Sequence, residues 1–402
     1  MKKIREKAIK RYLNGESPKE IYRSLGKGKT WFFKWLKRYK LDGTDWASEH
    51  SRRPHQSPKR INQETEQMVI ATRKRLENKL YTQIGASNID WQLRQEGMKP
   101  PSVATINRIL KRNNLIRRRE KYVPKGTSYP SPCVTQSNDL HQLDVIGPRY
   151  LKGDGRFYSI NVIDAYDRRE SNCPHRRKNR MAILSGLLYC WHILGIPRYL
   201  QMDNLLCCRG SNHYPHSFGI IIRVCLHLGI QPIFIPIREP WRNGIIEHFQ
   251  LNFDQKFFRS QPFADFNDLF QKAREFEQFY NENQCYSTLG GLTPCQKCTG
   301  NIHYLSESFR LPGKLTISPG YVHLIRLIRS NHLLDIFGER FAVPADLEYE
   351  YVWSTIDTDK ERLGVYHDHK LIAEYDYPLP KSSMLLPKIE WYSLRCLDTF
   401  SC

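Results

Sequence analysis

The hydrophobic pattern of the chain changes near residue 139, and this change limits the folds that the sequence can adopt. Before that point, apolar residues recur at helical spacing in short segments that are separated by glycine, proline and basic residues. After it, residues 140–146 and 157–163 have the pattern of strands, with Gly153 and Gly155 in the turn between them. The sequence therefore predicts a multidomain protein with an all-α first third and a sheet-containing remainder.

Two segments of the first third, residues 1–45 and 61–116, have the pattern of a helix-turn-helix. In the first, Ser17 and Glu20 have the spacing of a capping box, and Pro18 occupies the first helical position. A glycine-containing turn then leads into a basic helix, which is the order typical of a DNA-reading module. A small helical bundle that contacts no DNA is the alternative.

The net charge of +21 is concentrated in the same helical third. Residues 1–130 hold 32 Lys and Arg against 12 Asp and Glu, whereas the rest of the chain holds 30 against 29. Concentrated positive charge releases counterions from nucleic acid and gives salt-dependent affinity for phosphates. Charge that served solubility alone could be spread over the whole surface. The distribution therefore favours double-stranded DNA as the partner, and the polar, basic stretches 46–60 and 117–135 are predicted to be linkers.

The remainder of the chain alternates strands with helices over residues 136–300, which predicts a mixed α/β sheet layered with helices. Residues 313–380 have the pattern of short strands separated by turns, for which we expect a small β-barrel, followed by a tail at 381–402. No apolar run approaches the roughly 20 residues that span a bilayer, and the charged N-terminus lacks the apolar stretch of a secretory signal. We expect a soluble, cytoplasmic, nucleoid-associated protein with no membrane partner.

Three acidic residues stand in contexts that a structural role does not require. Asp144 lies within the apolar run of the first strand, Asp203 directly follows a short strand, and Glu247 lies near the start of a helix. The ends of neighbouring strands and the adjacent helix can meet at one edge of such a sheet. Carboxylates gathered there repel one another unless cations are present, and hard cations such as Mg²⁺ or Mn²⁺ prefer oxygen ligands. Two such ions about 3.5–4 Å apart can activate a water or hydroxyl for attack on a phosphodiester.

Each of these acids also has a structural explanation. Asp144 can be satisfied by backbone donors, Asp203 can cap a turn, and Glu247 can favour a helix N-terminus through its charge. Asp164, at the end of the second strand, is the strongest rival, although its context is more typical of a structural turn. Asp254 lies on the same helix face as Glu247, but no other feature distinguishes it. The three acids together, in this order, favour the metal-binding interpretation.

Five segments between His141 and Pro294 carry a family pattern in their order and strand contexts: HQLDVIGPRY, YSINVIDAYDR, LQMDN, LGIQPIFIPIREPWRNGIIEHFQLNF and YNENQCYSTLGGLTP. This stretch resembles the catalytic core of the retroviral-integrase-type (DDE) transposases of bacterial insertion sequences. The resemblance implies a ribonuclease-H-like fold in which Asp144, Asp203 and Glu247 are the catalytic residues and bind two Mg²⁺ or Mn²⁺ ions. One motif departs from the family pattern, because DNLLCCRG lacks the glycine that usually follows Asp-Asn.

The resemblance also implies a substrate and an assembly. The element ends and the target are double-stranded DNA, and two ends must be brought together, so a homo-oligomer is expected. The candidate DNA contacts are basic side chains of the first helix-turn-helix, of the linkers and of the flanks of the Glu247 helix: Lys34, Lys37, Arg38, Arg52, Arg53, Arg117, Arg118, Arg119, Arg242 and Lys256. The expected function is metal-dependent DNA cleavage and strand transfer of a mobile element. The alternatives are a DNA-binding regulator or domesticated derivative that no longer cuts, and a nuclease without joining activity.

Overall fold

The computed structural model describes residues 2–41, 45–49, 61–116, 129–211, 213–214, 216–306 and 308–386. The chain divides into two compact units, Met1–Asn62 and Gln63–Cys402. None of the helices in the described ranges is both long enough and apolar enough to cross a membrane.

The first unit contains the helices α1 (Lys2–Leu13), α2 (Pro18–Ser24) and α3 (Lys29–Leu41). The Ser17 hydroxyl caps α2 by accepting a hydrogen bond from the Glu20 amide at 3.4 Å, and Pro18 begins the helix as predicted. One apolar face of each helix turns inward, and the residues buried there are Ala8, Ile9, Ile21, Phe32 and Leu36. The predicted helical order of this region is therefore confirmed, with the basic residues of α3 on its outer side.

A second group of helices begins the second unit: α4 (Gln63–Glu77), α5 (Ala86–Gln95) and α6 (Val103–Arg112). These helices pack on one another and on the region that follows. The Tyr81 ring lies 5.4 Å from the Phe276 ring, centroid to centroid. The Asn88 side-chain amide donates to the Cys285 carbonyl at 3.4 Å. The segment predicted to be a second helix-turn-helix is thus helical and forms one compact unit with the sheet region.

The second unit is built on a nine-stranded sheet in the order β12-β11-β10-β7-β5-β4-β1-β2-β3. The strands of the described chain are β1 (Leu140–Leu151), β2 (Gly155–Asp164), β3 (Glu170–His175), β4 (Tyr199–Met202), β5 (Gln231–Phe234), β6 (Lys314–Leu315), β7 (Tyr321–Leu327), β8 (Leu333–Ile336), β9 (Glu339–Ala342), β10 (Tyr351–Asp357), β11 (Arg362–His367), β12 (Lys370–Asp376) and β13 (Met384–Leu385). β1 pairs antiparallel with β2 and parallel with β4, while β3 and β5 extend the two sides. Strands β1–β5 and their helices therefore have the predicted ribonuclease-H-like arrangement.

Helices cover both faces of this part of the sheet. They are α7 (Arg180–Leu194), α8 (Leu206–Arg209), α9 (Ile220–His227), α10 (Gly244–Asn252), α11 (Phe266–Asn283) and α12 (Pro294–Lys297), and a π-helical segment, Phe253–Phe258, continues α10. Val162 and Ile163 are neighbours in β2 and point to opposite faces. Val162 joins the apolar cluster of α7 and α9, and Ile163 joins the aromatic-rich cluster of α10 and α11. Because both faces are buried, the central strands have nearly continuous apolar runs.

The predicted C-terminal β-barrel over residues 313–380 is not confirmed, because its strands continue the core sheet. β7 pairs parallel with β5 through Ile233–His323 and Phe234–Leu324, and β10, β11 and β12 follow in antiparallel order. Among the described strands, β8 pairs only with β9, and β13 only with β6. The physical reason is the edge of β5, whose backbone groups need partners and whose side chains continue the apolar cluster into Val322 and Leu324.

Candidate active site

The three predicted acids lie on neighbouring elements of the second unit. Asp144 lies in β1, Asp203 directly follows β4, and Glu247 is in the first turn of α10. β1 and β4 are adjacent parallel strands, and their register pairs Gln142 with Gln201. Asp144 follows Gln142 by two residues, and Asp203 follows Gln201 by two residues. Because side chains two residues apart in a strand point to the same face, both aspartates lie on the face of the sheet that carries the two glutamines. The fold therefore places both aspartates on the same face of adjacent strands.

A buried set of side-chain amides holds α10 against these two strands. We call Gln142, Gln201 and Asn243 the amide bridge. Gln201 Nε2 donates to Asn243 Oδ1 at 2.8 Å, and Asn243 Nδ2 donates to the carbonyl of Leu143 in β1 at 3.3 Å. Gln142 Oε1 accepts from the backbone amide of Ile246 in α10 at 3.1 Å. All three side chains are buried, so each hydrogen bond fixes the position of Glu247 relative to the aspartates.

The electrostatics centre on Asp144. Burial raises the pKa of Asp203 above its ordinary value, and the nearby Asp144 carboxylate raises it further, while the Leu205 amide and the charge of Lys178 act in the opposite direction. The pKa of Glu247 is also raised, first by burial and then by Asp144. Asp144 is therefore within electrostatic range of both other acids. Asp203 and Glu247 lie far apart in the sequence, and the Asp144 carboxylate destabilises the charged form of both.

The oxygens of Asp144 have protein partners. Oδ1 accepts from the amide of Val145 at 2.7 Å, and Oδ2 accepts from Nε2 of Gln250, which follows Glu247 on α10, at 2.6 Å. In the described ranges, no three Asp, Glu, His or Cys side chains lie close enough together to hold a metal ion. The donor set itself is three carboxylates with mutual repulsion, which suits a hard divalent cation. The residues fit such an ion by chemistry, but binding would require the three carboxylates to move closer together and Asp144 to exchange its Gln250 partner for the ion.

Asn204, the residue after Asp203, connects this region to the added C-terminal strands. Its side-chain amide donates to the Ile235 carbonyl at 2.6 Å, and its Oδ1 accepts from the buried Arg326 of β7 at 2.8 Å. Burial lowers the pKa of Arg326 to about 10. Asn204 therefore has a structural role, and the loop that carries Asp203 is anchored to β5 and β7.

The two rival acids are satisfied by other groups. Asp164 is fully buried and accepts hydrogen bonds from the amides of Asn138, Tyr166 and Asp167 at 2.6, 2.7 and 3.0 Å. His141 Nε2 lies 3.5 Å from its Oδ2. Asp164 is thus the structural turn residue that its context indicates.

Asp254 forms ion pairs with Arg149 at 2.8 Å and with Arg259 at 2.7 Å. Both of its oxygens therefore face cations on the surface of the π-helical segment.

The predicted DNA contacts fall into three groups. Lys34 and Lys37 are exposed on α3, and Lys256 is half-buried in the π-helical segment, where burial lowers its pKa. Two arginines already have partners within their own unit. Arg38 donates to the Ser48 carbonyl at 3.1 Å, and Arg242 pairs with Glu239 at 3.0 Å and lies 4.0 Å over the Tyr129 ring. The candidates that lie outside the described residues are Arg52, Arg53, Arg117, Arg118 and Arg119.

The sequence reasoning missed the amide bridge and Gln250. A signal for the bridge was present, because Gln142-Leu143-Asp144 and Gln201-Met202-Asp203 repeat the same Gln-x-Asp spacing. In a strand, two residues separated by one share a face, so each glutamine is placed beside its aspartate. No comparable signal indicated Gln250, because it depends on how α10 docks on β1.

Comparison with known families agrees with this fold. Residues 228–294, which include Glu247, match the model described as integrase core domain, and residues 2–45 match the model described as homeodomain-like domain. Both matches confirm the resemblance predicted from the sequence. No curated protein matches the chain.

Two retroviral structures are among the solved structures that match this chain. The catalytic core domain of HTLV-2 integrase, in complex with magnesium and in dimeric form, is 18% identical over 40% of this chain and 97% of that chain, with a TM-score of 0.31. The simian T-cell lymphotropic virus intasome, in complex with the PP2A regulatory subunit B56 gamma, is 12% identical over 75% of this chain and 95% of that chain, with a TM-score of 0.34.

Proposed function

We propose that this chain, which carries an integrase core domain and a homeodomain-like domain, is a DDE transposase that cuts and joins DNA. Asp144, Asp203 and Glu247 are the catalytic residues of the proposal. The homeodomain-like first unit binds the element ends. Because two ends must be joined in one event, the active form is a homo-oligomer on DNA.

The observation that carries the proposal is that the Asp144 carboxylate acts electrostatically on both of the other acids. This carboxylate raises the pKa of Asp203 and of Glu247, each of which is also raised by burial. For Asp203, the Leu205 amide and the charge of Lys178 offset only part of this rise. The amide bridge keeps together the three elements that carry the acids. This arrangement is expected of carboxylates that bind a cation.

The residues have distinct parts in the proposed reaction. Asp144, Asp203 and Glu247 would hold two Mg²⁺ or Mn²⁺ ions, which activate the attacking water or 3′-hydroxyl and stabilise the leaving oxygen of a phosphodiester. Gln250 releases Asp144 Oδ2 so that this oxygen becomes available as a ligand. Asp203 and Glu247 must be ionised to bind, so their raised pKa values shift the onset of ion binding to a higher pH than ordinary carboxyl groups would need. The amide bridge keeps Glu247 in place while Asp144 changes partner.

Purified protein should nick and join DNA that carries its own element ends when Mg²⁺ or Mn²⁺ is present. Asp203→Asn should reduce both activities by more than about a hundredfold, the upper end of the loss seen when a group that only supports a metal ligand is removed. End binding should be retained, since the first unit is unchanged. Products are measured on a sequencing gel and binding by anisotropy. Asp359→Asn, at an exposed turn between β10 and β11, is the matched control and should keep full activity.

Efficient strand transfer by Asp203→Asn would overturn the mechanism. A DNA-binding regulator is the second candidate, favoured by the hydrogen bond between Gln250 and Asp144 and by the lack of a three-ligand group among the described residues. If the wild-type protein binds its element ends but cuts them with neither metal, the regulator function replaces the transposase.

A further inference from the structure

A cavity of about 460 Å³ lies beside the helix that carries Glu247, on the side of α5. Its wall is formed by the start of α5, the turn between β2 and β3, the first turns of α10 and the segment that follows α11. The polar residues that matter for its chemistry are Ser87, Asn88, Arg168, His248, Ser287 and Thr288. Neither Asp nor Glu is among the described residues that line it. The cavity therefore presents hydrogen-bond donors and a cation without a neutralising carboxylate.

Arg168 is the cation of this cavity. Its Nη1 is buried and has no hydrogen-bond partner within the described part of the chain. Burial lowers the pKa of this guanidinium, and the nearby acids Asp164 and Asp167 oppose that effect only in part. Both acids are engaged elsewhere: Asp164 accepts from three backbone amides, and Asp167 pairs with Arg169 at 2.8 Å. A half-buried cation whose Nη1 donor is buried and unused is costly unless an anion reaches it.

The N-terminus of α5 contributes to the same cavity. Gly85 is its N-cap residue, and since glycine has no side chain, the first amides of this ten-residue helix lack a side-chain cap. Such amides, together with the helix dipole, favour a negative group. On the opposite wall, the exposed His248 follows Glu247 directly on α10. Uncapped amides, an arginine, a histidine and hydroxyl groups are the groups that bind a phosphate.

We propose that this cavity binds a backbone phosphate of the DNA strand that passes the active site. The proposal rests on the proposed function, because that function places DNA along α10. A phosphodiester fits the donor set and the volume, and it would give Arg168 its missing partner. The bound phosphate would fix the register of the strand on α10, next to Glu247.

The test is the salt dependence of DNA binding by the full chain. The probe is one duplex of fixed, arbitrary sequence, titrated between about 50 and 200 mM salt. Arg168→Gln should lower the slope of log K against log salt by about one, and the affinity at physiological salt about fivefold, because one phosphate contact and its released counterion are lost. Arg168→Lys should retain most of both. Arg340→Gln, which removes one positive charge from an exposed position in β9, should leave the slope unchanged.

Three results would overturn the proposal. Equal slopes for Arg168→Gln and the wild type would show that the cavity contacts no DNA phosphate, provided that the thermal unfolding midpoint shows a folded variant. An equal loss in Arg340→Gln would assign the effect to net charge. Stabilisation of the wild type, but not of Arg168→Gln, by inorganic phosphate with no difference in DNA slope would assign the cavity to free phosphate. Cutting by the wild type is measured separately, so its absence would overturn the proposed function without affecting the slopes.

Discussion

The second unit contains two groups of acids beside β1 and β2, and they differ in what faces their oxygens. At the turn after β2, Asp164 accepts hydrogen bonds from three backbone amides and lies near His141. Asp167, in the same turn, pairs with Arg169. Burial alone would raise the pKa of Asp164, but His141 and the amides outweigh it and hold the pKa below its ordinary value.

At the candidate active site the balance is reversed. The pKa values of Asp203 and Glu247 are raised by burial and by Asp144, and for Asp203 the Leu205 amide, at 3.2 Å, and the charge of Lys178 offset only part of that rise. Burial of an acid therefore does not indicate function by itself. The useful sign is a buried or half-buried acid whose nearest charged neighbour is another acid.

The two groups of acids should differ most in what they contribute to the free energy of unfolding. Asp164→Asn should lower the free energy of unfolding by about 3 kcal/mol, because it turns one acceptor oxygen into a donor that faces backbone amides in the interior. Asp203→Asn should change that free energy by less than about 1 kcal/mol, or raise it, since it removes repulsion from Asp144. Chemical denaturation of the metal-free protein measures both. Equal losses for the two variants would remove the distinction between the groups.

The next effect tests whether the amide bridge positions α10. Gln201→Leu should lower the free energy of unfolding by about 2 kcal/mol, because the buried Oδ1 of Asn243 loses its donor. The same variant should also cut DNA more slowly, because Glu247 is displaced, and the loss should grow with that displacement. DNA binding should be unchanged. Gln278→Leu, at an exposed position of α11, is the matched control. If both variants lose the same stability, or if Gln201→Leu cuts at the wild-type rate, the bridge has no positioning role.

The candidate site was more predictable from the sequence than the C-terminal part of the fold. The placement of the two aspartates follows from their local sequence, because Asp144 lies within an apolar strand and Asp203 directly follows one. The two strands are parallel neighbours, and this pairing brings the aspartates together. The pairing of β7 with β5 has no such local sign. It depends on Ile233 and Phe234 meeting His323 and Leu324, about ninety residues later in the chain.

Short strands with turns between them are compatible with a closed barrel or with the extension of an existing sheet. The choice is made by the unpaired edge of β5, which is a property of the assembled sheet. Gln250 illustrates the same limit at the site. Its contact with Asp144 depends on the docking angle of α10, and the docking angle depends on the amide bridge.

The stability contributed by the two groups of acids should also change with pH in opposite directions, and we expect this effect to be the smallest. The pKa of Asp164 is lowered in the folded state, so the stability that it contributes is present at neutral pH and is lost as the pH falls through the carboxyl range. The pKa of Asp203 is raised, so the folded state holds this proton more tightly than the unfolded state does. Its contribution therefore falls as the pH rises from the ordinary carboxyl range through the raised value.

Unfolding midpoints measured without metal from acid to neutral pH should show both trends. The wild-type advantage over Asp164→Asn should shrink on acidification, whereas Asp203→Asn should gain on the wild type as the pH rises. Saturating Mg²⁺ or Mn²⁺ should reverse the second trend, because an ion that binds only the folded wild-type site stabilises it by mass action. If both differences had the same sign with pH, Asp203 would be a satisfied structural acid like Asp164, and the metal-binding role of the site would be lost with it.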